Sequence, residues 1–181
     1  MTLSAKGDTD RHCLAARFVD GPHLSVPDKA EQHLADWLAD LEPVQRAAIG
    51  DLVMRFPRAR IILLGIVEAS PYLFDLVRAD GGRALRLLEC EPEEHLAQLI
   101  ETARREVVAA SSEAEAMQLL RRMKSEAALL IALCDIGGVW PTGSAISSRC
   151  RRLRSAISSN ALRSPIPLCS ASSNRLPICS I

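Results

Sequence analysis

The sequence predicts an all-α fold: an irregular helical bundle over about residues 28–136, followed by a disordered tail. Three observations carry this expectation. Hydrophobic residues make up 48% of the 181, yet aromatics only 3%. A core must therefore be built from Leu, Ala, Ile and Val, which at helical spacing favours helix on helix over a sheet. Apolar residues recur at threes and fours in every long segment before Trp140, with no alternating strand of any length. Prolines and hydroxyl or carboxylate residues punctuate these segments where helices start.

Residues 1–26 mix Gly7, Gly21 and Pro22 with scattered charges and no period, which predicts a flexible leader. The helical domain spans 27–141. From Asp28, a residue able to accept from free helix N–H groups, Ala30, Leu34, Trp37 and Leu41 form one stripe and predict a helix over about 28–40. Pro43 suits a first helical position, and Val44, Ala47, Ala48, Leu52 and Val53 carry a second helix to about Arg55. Pro57 opens a third, whose Ile61–Val67 stretch is apolar on all sides and so belongs inside the bundle.

Ser70-Pro71 repeats the start signal for a short helix ending at Gly81-Gly82, and residues 83–89 form another. After Pro92, Leu96, Ile100, Ala103 and Val107 define a long helix, with Glu101 and Arg105 at the favourable acid-before-base spacing. Ser112 and Glu115 fit a capping box. Ala116, Leu120, Met123, Ala127, Leu130 and Cys134 then run at alternating fours and threes to Gly137-Gly138.

The zero net charge conceals a division. Residues 142–181 hold six arginines and no acidic residue, leaving 16 basic against 22 acidic side chains in residues 1–141. Eleven serines, three cysteines and three prolines complete this tail, a composition that cannot bury enough surface to offset its ordering entropy. Without stacking aromatics or folded support it is not read as a nucleic-acid arm. The six cysteines form no CxxC pair, and His12, His23, His33 and His95 offer no Cys/His ligand spacing, so no metal site is assigned. The amino-terminal stretch lacks an apolar h-region and the longest apolar runs fall far short of the ~18 residues that span a bilayer. A cytoplasmic protein without membrane contact is expected.

Two blocks carry a family likeness. The first is Leu64-Gly65-Ile66-Val67-Glu68-Ala69-Ser70-Pro71-Tyr72-Leu73, followed by Leu85 and Leu87-Leu88. The second runs from Leu120-Arg121-Arg122 through Asp135-Ile136-Gly137-Gly138-Val139-Trp140. Over roughly residues 40–141 the chain resembles the N-terminal helical region of bacterial glutamine synthetase adenylyltransferase, the two-headed nucleotidyltransferase that adds AMP to a tyrosine of glutamine synthetase and removes it. The resemblance implies glutamine synthetase as partner, a role in nitrogen assimilation, and ATP and Mg²⁺ as the family's cofactors. The sequence reading ends the resemblance at Pro141.

The family's Gly-Lys-Leu-Gly, Glu-Leu-Asn and Ser-Asp-x-Asp elements are missing. Its chemistry needs paired carboxylates on a rigid strand to share Mg²⁺. Asp8-Thr9-Asp10 lies in the unpatterned leader, and Gly143-Ser144 has no acidic residue after it. No catalytic, cofactor-binding or metal-binding residue is assigned, and no cofactor is expected in this chain. A frameshift near codon 141 would account for both the tail and the missing elements. The expected function is thus a truncated portion of the enzyme, inactive alone; the alternative is a stand-alone helical interaction module. Arg121, Arg122 and Lys124 could face a nucleotide or partner, or form a solvated helix face. Trp37 and Trp140 read as partner anchors or as core, and Cys134 as a reactive thiol or a small buried hydrophobe.

Overall fold

The computed structural model describes residues 12–140. Asp8-Thr9-Asp10, Gly143-Ser144 and the tail expected over 142–181 lie outside them. Eight helices and no strand occur among the described residues: α1 Leu14–Arg17, α2 Pro27–Asp40, α3 Pro43–Arg55, α4 Pro57–Ala69, α5 Pro71–Ala79, α6 Gly81–Glu89, α7 Pro92–Ala109 and α8 Glu113–Ile136. The all-α expectation holds.

Five helices have proline in their first turn, where the missing N–H removes no helical bond. Side-chain caps occur on α5, α6 and α8. Ser70 Oγ accepts from Leu73 N–H at 3.3 Å, Asp80 Oδ1 from Arg83 N–H at 2.9 Å, and Ser112 Oγ from Glu115 N–H at 3.2 Å.

Several local expectations are corrected. Asp28 lies inside the first turn of α2; the N–H groups of Ser25 and Val26 are instead bonded by Glu68 Oε1, at 2.7 and 2.8 Å. Gly81-Gly82 do not terminate a helix, because Asp80 caps a new one that begins at Gly81. Glu115 reaches back to the N–H and hydroxyl of Ser111 rather than to Ser112, one residue off the capping-box pattern. Arg105 bonds Thr102 and Glu101 lies 4.0 Å from Arg104, so the Glu101–Arg105 pair does not form. Ile61 is exposed at the edge of the otherwise buried Ile62–Ile66 run.

α4 is the central helix, with α2, α3 and α5 packed around it. Its Ala59, Ile62, Leu63, Leu64 and Ile66 are buried together with Ala30, Leu34, Ile49, Leu52 and Val77 of the neighbouring helices. Gly65 makes room for the chain that crosses it: a Cβ there would sit 2.0 Å from Pro22 Cγ. α7 and α8 form an antiparallel hairpin; α5 packs on α8, and Arg86 of α6 lies 3.9 Å from Glu126 at its base.

The largest correction concerns the amino-terminal segment. Residues 12–26 were expected to belong to a flexible leader. Their short α1 and Phe18 are core instead: Leu14 is 0% and Phe18 2% exposed. Leu14 N–H donates to the Cys90 carbonyl at 2.8 Å, and Val19 N–H to the Gly137 carbonyl at 2.9 Å. At the end of α8, Gly138 takes φ +63°, Val139 N–H returns to Cys134 C=O and Gly138 N–H to Asp135 C=O. This is a Schellman closure, and it exposes the Gly137 carbonyl to the amino-terminal segment. A Cβ on Gly137 would lie 2.1 Å from Phe18 Cδ1, so only glycine admits that ring.

Candidate functional site

Three places concentrate chemistry. At the base of the hairpin, Pro92 starts α7 and puts Glu93 in its first turn, where a carboxylate is favoured by the helix dipole. Both guanidinium ends of Arg17 donate to this carboxylate, Nη2 to Oε1 at 2.7 Å, and Trp140 Nε1 donates to Oε1 at 2.9 Å. The Arg17 hydrogen bond, aided by that from Trp140 and opposed by burial, draws the Glu93 carboxyl from its ordinary 4.5 down to about 2. Arg17 moves the other way, held charged chiefly by Glu93. Cys134 is fully buried beside this cluster and burial pushes its thiol far up; Cys90 is pushed up to about 12 for the same reason. These groups are held inert. The cluster fastens three distant segments together and offers no free nucleophile.

At the far end of the hairpin the picture reverses. No residue between Arg104 and Glu126 is buried. Arg121, Arg122 and Lys124 are exposed beside Met117 and Leu120, which are 43% and 38% exposed. The predicted basic residues therefore sit on a solvated helix face rather than in a pocket. Trp37 and Trp140 take the core option, at 4% and 6% exposure, and Cys134 is the small buried hydrophobe.

The third place is an open cleft of about 450 Å³ between α2, α4 and α5. His33, Asp36, Trp37 and Asp40 line it from α2, facing Phe74, Asp75 and Arg78 of α5. Val67 and Pro71 add apolar wall. Arg78 lies over the Phe74 ring with 5.7 Å to its centroid, and the buried Trp37 Nε1 has no hydrogen-bond acceptor. No sequence reading marked this cleft or the Glu93 cluster. Asp36 and Asp40 flank Trp37 at helical spacing, which was visible; their meeting with α5 was not. Among the described residues no group of three or more His, Cys, Asp or Glu side chains is placed to hold a metal ion, and no helix is long and apolar enough to cross a membrane.

A family model described as glutamate-ammonia ligase adenylyltransferase matches residues 62–171. The chain belongs to that family. Its match includes both blocks that carried the likeness and continues well past Pro141, where the sequence reading ended it. Relatives named bifunctional glutamine synthetase adenylyltransferase/adenylyl-removing enzyme are similar over most of the chain. Those of Bradyrhizobium sp. strains BTAi1 and ORS 278 are each 62% identical, over 142 and 144 residues. In both cases the alignment covers 78% of this chain. That of Xanthobacter autotrophicus is 47% identical over 131 residues, or 72% of the chain. The chain spans only about 14% of the length of the Bradyrhizobium relatives and 13% of the Xanthobacter one. No solved structure matches it.

Proposed function

We propose that this chain supplies the non-catalytic helical region of a glutamine synthetase adenylyltransferase/adenylyl-removing enzyme, the regulator that attaches AMP to a tyrosine of glutamine synthetase and takes it off. The single observation that carries the reading is the 62% identity to relatives bearing that name. The sequence itself supports the non-catalytic part. It lacks the Gly-Lys-Leu-Gly, Glu-Leu-Asn and Ser-Asp-x-Asp elements with which the family holds phosphate, Mg²⁺ and ATP. Within the whole enzyme, this region would position the nucleotidyltransferase heads against glutamine synthetase in the cytoplasm.

The test is a transfer assay with purified chain, glutamine synthetase, ATP, phosphate and Mg²⁺. Neither AMP attachment nor its phosphorolytic removal should exceed background. AMP turnover that disappears on Asp8→Asn and Asp10→Asn would overturn the reading and move an active site to the amino-terminal residues.

A second reading, a stand-alone interaction module docking through Arg121 and Arg122, is favoured by one observation: neither arginine has an ion-pair partner among the described residues. Translating the gene beyond codon 141 in the other two frames separates the readings. A frame that continues into acidic, Ala- and Leu-rich helices would support the shifted tail and the enzyme portion. The family match through residue 171 weighs against such a shift.

A further inference from the structure

α8 offers a second face to solvent, and from it we infer that this chain pairs with a second copy of itself, the two α8 helices lying antiparallel about a two-fold axis. The inference does not rest on any role in AMP transfer.

The inward stripe of α8 includes Ala127, Leu130 and Cys134, all buried. Roughly a third of a turn round the helix, Met117, Arg121, Lys124, Ala128, Ile131 and Asp135 recur at alternating fours and threes, the spacing of a helix that meets another helix. None of the six is buried: Ala128 and Ile131 are half-buried and the rest exposed.

Charge fixes the partner and its direction. The basic Arg121 and Lys124 stand in the first half of this stripe, and the acidic Asp135 stands at its end. Asp20 joins Asp135 there: its N–H donates to the Gly137 carbonyl at 3.3 Å, and a Cβ on Gly138 would lie 3.6 Å from its Cβ, so a second exposed carboxylate sits just beyond the helix. None of these four side chains has an ion-pair partner among the described residues. A parallel copy would set Lys124 against Lys124. An antiparallel copy sets Lys124 against Asp135 and, in the same register, Ala128 against Ile131 and Arg121 against Gly138 with its neighbouring Asp20. Each match occurs twice across the two-fold, as a self-complementary patch requires.

Apolar surface and the helix dipole act in the same sense. The register brings Val19, 69% exposed beside Gly138, to the end of the partner's stripe where Met117 and Leu120 are exposed. Asp135 lies in the last turn of α8, which holds no basic residue, and a carboxylate there opposes the dipole until a cation faces it. The matched stretch runs about three turns, so the interface belongs to the small, weak class of under about 1,200 Å².

Sedimentation equilibrium of the 181-residue chain should show a reversible monomer–dimer equilibrium with a Kd of about 10 to 100 µM, weakened by added salt. Lys124→Asp and Asp135→Lys should each weaken pairing by about tenfold or more, because each brings like charges together twice. Mixed one to one, the two variants should recover it, since at both positions an acidic group then faces a basic one. Both positions are exposed, and circular dichroism reports whether each variant is folded. A chain that stays monomeric well above that Kd, as it would if another segment of the same chain covered the face, would overturn the inference. So would dimers indifferent to the single variants, or variants that fail to pair when mixed.

Discussion

The two ends of the α7/α8 hairpin are made of the same helices with the same apolar spacing, yet one end is core and the other surface. At the base, Leu96, Ala127, Leu130, Leu133 and Cys134 are buried, where α5 packs against α8. At the tip, Leu119 and Met123 are only half-buried, while Val108 is 88% exposed. Periodicity identifies which face can be buried. A third element decides whether it is.

The largest contrast should come from paired truncations. Leu130→Ala at the base should cost about 2 to 5 kcal/mol, since a fully buried leucine leaves a cavity. Leu120→Ala at the tip should stay within about 0.5 kcal/mol, as surface substitutions do. Urea titrations of both variants check this, and equal losses at the two ends would erase the distinction.

Next in size is the Glu93 cluster. Its carboxyl is depressed to about 2 in the folded chain from an ordinary 4.5. The stability it contributes is therefore complete above about pH 4.5 and disappears as the pH falls through 2. Glu93→Gln should destabilise by roughly 1 to 2 kcal/mol at pH 7, given a part-exposed charged hydrogen bond. The gap between variant and parent should then close as the pH drops from 4.5 towards 2. A pH series of thermal melts reads it; a gap that stays constant would mean the charge on Glu93 is not what matters.

The smallest effect belongs to the tip. Ser112→Ala removes the cap on α8 and should cost about 1 kcal/mol or less. Hydrogen exchange sharpens the point, with faster exchange confined to the first turn of α8 and no change at the base.

Most of the helices were readable from the sequence because their boundaries are chemical. Pro27, Pro43, Pro57, Pro71 and Pro92 each stand at a helix start, and Gly137-Gly138 closes the last. Residues 13–20 were not readable. Four residues are too few to show a period, and Phe18 is buried only because Gly137, far along the chain, has no side chain. The Glu93 cluster was hidden for the same reason, its members lying 76 and 47 residues apart. Of the cleft, Asp36, Trp37 and Asp40 were visible as neighbours on one helix. Phe74, Asp75 and Arg78 join them only through the packing of α2 and α5 around α4.

The bond from Val19 N–H to the Gly137 carbonyl also orders events in time. On a ribosome, Phe18 and Val19 emerge early, but Gly137, which accepts from Val19 N–H and makes room for the Phe18 ring, is made much later. The amino-terminal segment must wait, with its apolar side chains uncovered, while more than a hundred residues are added. Closing so long a loop costs entropy that no local contact repays beforehand. The helices around α4 can form in sequence during synthesis. The base of the hairpin is completed only when residues 137–140 clear the exit tunnel, so a pause just before Gly137 leaves Phe18 without its final cover.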